Sequence, residues 1–114
     1  MNKSRVVNVE YVIKKGFEKC KGFDYVNVVL GKGQEMQGDN NYITILPVKD
    51  GDSDQYLSTQ IETSIKDVVD IISIVTSCLI KSELNFNSVQ LLNMDGSAVD
   101  VNNLKSDMKL IVRF

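Results

Sequence analysis

Short runs of β-branched and aromatic residues alternate with turn residues along most of the chain, and this pattern predicts strands. Lys14–Gly22 interrupts the pattern with two glycines and four lysines, and it predicts a loop. The predicted strands are Val6–Ile13, Tyr25–Leu30, Tyr42–Val48, Tyr56–Ile61, Ser88–Met94 and Lys109–Phe114, with a further short strand at Ala98–Val101 followed by Leu104 as a core residue.

One segment, Ser64–Lys81, has helical spacing although it is rich in β-branched residues. Its apolar side chains recur every three or four residues from Ile65 to Leu79, and polar side chains occupy the opposite arc. Thr63 or Ser64 would cap its first turn. We therefore predict a helix over 64–81 that packs an apolar face against a sheet.

Three side chains of this predicted helix lie away from its main apolar face. Ile74 lies at the centre of the polar arc, and Ile71 and Cys78 lie at its edge. They are predicted to cover a second layer or to form a contact surface for a partner.

The strongest break in the chain is the glycine-rich stretch that ends at Asp39-Asn40-Asn41. It divides a predicted N-terminal β-hairpin extension, residues 1–38, from a domain over residues 39–114. The order of elements after the break predicts an α+β fold of the ubiquitin-like β-grasp type. In that fold a helix crosses a mixed sheet, and the last strand lies parallel to and beside the Tyr42–Val48 strand.

Composition favours a binding module over an enzyme. The 114 residues include no histidine and two cysteines without a CxxC motif, which removes His-based catalysis and most zinc sites. No signal or membrane-spanning pattern is present, so a cytoplasmic protein is expected. Residues 1–38 carry seven basic and four acidic side chains, whereas the remainder is acidic. Such a basic segment is typical of contact with an anionic partner.

The acidic turn Asp50-Gly51-Asp52-Ser53-Asp54 approaches a calcium-loop pattern. Gln55 stands where that loop needs glycine, and Ile61 stands where it needs glutamate. A solvated hairpin turn is therefore expected, and neither a metal nor another cofactor is predicted.

The second half of the chain resembles the doublecortin family. Val48-Lys49-Asp50-Gly51-Asp52 looks like its first hairpin turn, Val89–Gly96 is similar to its strand running into an Asp-Gly turn, and Thr76-Ser77-Cys78-Leu79 is similar to the end of its helix. The resemblance covers Asn40–Phe114. It implies a β-grasp fold and binding to microtubules, with a cytoskeletal location. Tubulin is acidic, so its contacts would be lysines, namely Lys14, Lys15, Lys19, Lys21 and Lys49.

Two other functions stay open on the sequence. A ubiquitin-like adaptor would bind a protein partner through Ile71, Ile74 and Cys78 or through an exposed sheet edge. A five-stranded OB barrel would bind single-stranded nucleic acid, using basic and aromatic side chains between Lys15 and Tyr25. Neither a membrane nor a small-molecule ligand is indicated.

Overall fold

The computed structural model describes residues 3–31, 40–105 and 107–114. Over those residues the chain is α+β, as predicted, with two helices and six strands. In chain order the elements are α1 (Lys3–Glu18), β1 (Tyr25–Gly31), β2 (Asn41–Lys49), β3 (Asp52–Ser53), a 3-10 turn (Gln55–Leu57), β4 (Thr59–Thr63), α2 (Val68–Lys81), β5 (Ser88–Asn93) and β6 (Met108–Arg113).

The described strands form one antiparallel sheet. β2 pairs with β3 and β4 on one side and with β1 on the other, and β6 lies between β1 and β5. The last strand therefore lies beside β1, antiparallel to it, rather than parallel beside β2. The predicted mixed sheet is wrong because the segment assigned to an extension supplies the strand that pairs with β6. The described strands also do not close into a barrel, since β4 and β5 do not pair.

The first element corrects the predicted N-terminal hairpin. α1 replaces the predicted strand Val6–Ile13 and most of the predicted loop 14–22. Ile13, Phe17 and Cys20 follow one another at helical intervals, and all three are fully buried. Burying this stripe outweighs the strand preference of the valines, because most helix stability in proteins comes from packing rather than from propensity. Gly33 and Gly38, which belong to the glycine-rich stretch predicted to divide the chain, lie outside the described residues.

The predicted second helix is confirmed, with a later start. α2 begins at Val68, and Asp67 caps it by accepting a hydrogen bond from the Val69 amide at 2.9 Å. Residues 64–67 are not helical, and the Asn41 side chain donates to the Ile65 carbonyl at 2.9 Å. α2 buries four side chains, Ile71, Val75, Cys78 and Leu79.

Both helices pack on the same face of the sheet. Every second side chain of the central strands points into this layer, including Val26, Val28, Ile43, Ile45 and Leu110. The alternation follows from the two-residue period of a strand. Residues from both predicted segments therefore share one core and one sheet.

The remaining strand predictions are mixed. β1, β2, β5 and β6 match their predicted segments to within one residue at each end. The predicted strand Tyr56–Ile61 begins instead as the 3-10 turn and becomes β4 at Thr59. Ala98 forms only an isolated bridge with Leu92. Leu104 is 36% exposed, so it is not the predicted core residue.

Candidate functional site

The C-terminal half of α1 presents a basic surface that begins with an exposed aromatic side chain. Tyr11, Lys14 and Lys15 are neighbours on the helix because residues three and four positions apart lie on one side. Tyr11 is 60% exposed, and the Lys15 ammonium lies 5.6 Å from the centre of its ring. Lys19 lies one turn further on, where its amide donates to the Lys15 carbonyl. We name these four residues the α1 lysine surface.

Ion pairs with the described residues neutralise one of the three lysines of this surface. The described residues contain one ion pair, between Lys15 and the Glu18 carboxylate at 3.4 Å. Such an exposed pair contributes little to stability. Lys14 and Lys19 make no ion pair with any described residue.

A small cleft lies between the two helices beside this surface. It has a volume of about 220 Å³ and is lined by Glu10, Tyr11, Lys14, Cys78 and Lys81. The Cys78 thiol is buried and points toward the Glu10 carbonyl, with the sulfur 3.6 Å from the oxygen. We name this feature the α1–α2 cleft.

The structure separates the other two predicted lysines from the α1 lysine surface. Lys21 lines a different cleft together with Glu83 and Phe114. Lys49 lines a third cleft with Asp50, Asp52 and Asp54. Carboxylates therefore share both of these clefts with the lysines. Of the predicted basic contacts, Lys14, Lys15 and Lys19 are brought together.

The predicted hydrophobic contact surface on α2 needs correction. Ile71 is 1% exposed and belongs to the core. Ile74 is half-buried and packs against the same core. Both side chains belong to the core that α1 and α2 share, whereas the predicted N-terminal hairpin left this face of α2 without a neighbouring helix.

Cys20 and Cys78 both carry buried thiols, and burial changes their pKa values. Burial raises the pKa of Cys20 to about 12, although the nearby Lys19 opposes this shift. Burial also raises the pKa of Cys78. The thiolate is the reactive form of cysteine, so both shifts lower reactivity near neutral pH.

The acidic turn after β2 uses one carboxylate for local structure. Asp54 accepts hydrogen bonds from the amides of Tyr56 and Leu57, at 3.0 and 3.2 Å, and thereby caps the 3-10 turn. Among the described residues, no group of three or more carboxylate or thiol side chains is placed to hold a metal ion.

Comparisons with family models, with curated proteins and with solved structures give no match to this chain. In the described part of the chain, neither helix has the length and apolar character needed to cross a membrane.

Sequence reasoning missed Tyr11 and Lys81 as members of the site. The available signal was the spacing of Val9, Ile13 and Phe17, which identifies an inward helix face and places Tyr11 and Lys15 away from it. Lys81 could be assigned only after the packing of α2 against α1 was known.

Proposed function

We propose that this chain is a non-enzymatic protein-binding module that docks on an acidic protein surface through the α1 lysine surface. The observation that carries the proposal is a row of three lysines beside the exposed Tyr11, of which Lys15 and Lys19 are exposed and Lys14 is half-buried. The described residues give this row one ion pair, from Lys15 to Glu18. A basic surface speeds encounters with an acidic partner, and an exposed aromatic residue supplies contact area once the partner is bound.

The microtubule is the specific partner that the doublecortin resemblance implies, and we retain it as the first form of this proposal. Its support is the resemblance of residues 40–114 together with the basic α1 surface. The antiparallel sheet does not add to that support, because a β-grasp needs a parallel central pair.

The test is co-sedimentation of the full chain with polymerised tubulin at about 50 mM salt, where screening is weak. We expect the double variant Lys15→Glu/Lys19→Glu to bind polymerised tubulin with about tenfold lower affinity than the unmodified chain. The matched control, Lys66→Glu/Lys105→Glu, makes the same change in net charge at exposed lysines outside the predicted contacts. Equal binding by both variants would remove the α1 lysine surface from the proposal. Absence of sedimentation by the unmodified chain would remove the microtubule.

A second candidate is an adaptor that binds an extended peptide at the outer edge of β5. The stretch from Asn85 to Met94 has no charged residue and no proline, the usual protections of an exposed edge. Val89 on this strand is 38% exposed. The bridge from Ala98 to Leu92 covers only the far end of the edge.

Substitution at the edge separates this candidate from the first. Val89→Lys would block strand addition and leave the α1 lysine surface unchanged. A partner whose binding is lost with Val89→Lys and retained by Lys15→Glu/Lys19→Glu would identify the β5 edge as the contact. The reverse result would identify α1.

A further inference from the structure

We infer that the α1–α2 cleft is the pocket that receives one carboxylate side chain of the acidic partner, between the ammonium groups of Lys14 and Lys81. This inference rests on the proposed function and names a contact at the edge of the α1 lysine surface, which shares Tyr11 and Lys14 with the cleft. The two lysines come from different helices and line one cavity. Neither makes an ion pair with any described residue.

The size of the cleft indicates a side chain rather than a whole ligand. Its volume of about 220 Å³ is below the roughly 300–1,000 Å³ of typical small-molecule sites. Protein interfaces, in contrast, often insert a single side chain into a pocket of the partner, and a few such contacts carry most of the binding energy.

The charges that line the cleft indicate that the bound group carries a single negative charge. Lys14 and Lys81 supply two positive charges, and Glu10 supplies one negative charge. Both ammonium groups lie close enough to the buried Cys78 to oppose the rise in its pKa that burial and Glu10 cause. An incoming carboxylate would therefore meet two lysines and one glutamate, with a net charge of +1, next to the buried Cys78 side chain.

The position of the cleft along the helices disfavours a phosphate. Lys81 is the last residue of α2, and Lys14 lies near the end of α1. Helix C-termini carry partial negative charge, which repels a dianion more than a monoanion.

Tyr11 also lines the cleft, and its ring can cover the aliphatic part of a glutamate side chain, as aromatic residues do in interfaces.

The test measures binding of a synthetic hexaglutamate peptide to the full chain by calorimetry at about 50 mM salt. Lys14→Gln/Lys81→Gln is compared with Lys66→Gln/Lys105→Gln, which removes the same charge at exposed lysines outside the predicted contacts. We expect about a tenfold loss of affinity for the first pair and less than about a twofold loss for the second. Tyr11→Ser is expected to lower affinity also, whereas Tyr56→Ser, on a side chain that is 99% exposed elsewhere, is not.

Thermal unfolding of each variant establishes that it is folded, and the outcomes then separate two kinds of failure. Equal losses for the two lysine pairs would overturn the cleft and leave the proposed acidic partner intact. No binding by the unmodified chain would overturn the proposed function itself. Tighter binding of a hexaphosphoserine peptide or a short single-stranded oligonucleotide than of hexaglutamate would overturn the carboxylate assignment.

Discussion

Gly16 lies where α1 packs closely against β2 and β4. A Cβ atom added there would lie 2.9 Å from Ile45 Cδ1 and 3.0 Å from Thr59 Oγ1. Ile45 is fully buried, so it has little room to move. The absence of a side chain, rather than an unusual backbone angle, is what this position requires.

We expect Gly16→Ala to destabilise the protein although alanine favours helices. Overpacking costs about 1–3 kcal/mol, which exceeds the gain of about 1 kcal/mol in helix propensity. Urea unfolding measures the difference. Ser73→Ala, on the exposed side of α2, is the matched control and should raise stability slightly. A stability gain for both variants would contradict the close packing at Gly16.

The burial of the Cys20 thiol leads us to expect that the protein loses stability in alkaline solution. Its pKa is about 12 in the folded protein because the thiol is buried, compared with 9.0 for a free thiol. The folded state therefore favours the protonated thiol. This contribution is complete below about pH 9 and is lost as the pH rises from 9 towards 12.

Urea midpoints measured between about pH 8 and 11 test this expectation. The decline should be smaller for Cys20→Ala than for the unmodified chain. Cys78→Ala serves as a comparison, because burial raises the pKa of that thiol as well. An identical decline with and without Cys20 would contradict the role of its burial.

At the scale of elements, sequence pattern predicts β1, β2, β5, β6 and α2 but not α1. β1, β2 and β6 have β-branched runs whose residues are largely buried, whereas β5 has one β-branched residue and no buried side chain. In α1 the local preference of the valines disagrees with the spacing of Ile13 and Phe17, and packing decides in favour of the spacing. α2 starts later than predicted, and the carbonyls of Ile65 and Lys66 accept from the side chain of Asn41, which is far away in sequence.

The cap of α2 gives a direct test of this boundary. Asp67→Ala removes the acceptor for the Val69 amide, and we expect a loss of about 1 kcal/mol in the free energy of unfolding. Asp67→Asn should lose less because the amide oxygen can still accept. Ser64→Ala, at a position where the sequence predicted the cap, should change stability by less than about 0.5 kcal/mol. A larger effect at Ser64 than at Asp67 would contradict the observed start.

At the scale of the molecule, the pairing of distant strands could not be derived from local pattern. The central position of β1 depends on β6, and no feature of residues 25–31 identifies that partner. The same limit applies to the α1–α2 cleft, whose two lysines are distant in the chain. The basic character of α1 was predictable from composition, whereas the contribution of Lys81 was not.

The shared sheet predicts that residues 39–114 do not fold alone. That fragment lacks β1, so β2 and β6 would lose their common neighbour, and it lacks the buried Phe17. We expect a poorly dispersed amide NMR spectrum and no cooperative thermal transition. A dispersed spectrum from the fragment would instead support the predicted division at residue 38.

The position of β1 also bears on synthesis of the chain. Tyr25 pairs with Val48 on one side and with Arg113 on the other. A nascent chain can form the β1–β2 hairpin early. The edge of β1 that pairs with β6 stays unpaired until residues 108–113 leave the ribosome. Long-range pairing of this kind is slow and exposes strand edges to aggregation. The interval before release of β6 is therefore the stage at which a chaperone would protect this protein most.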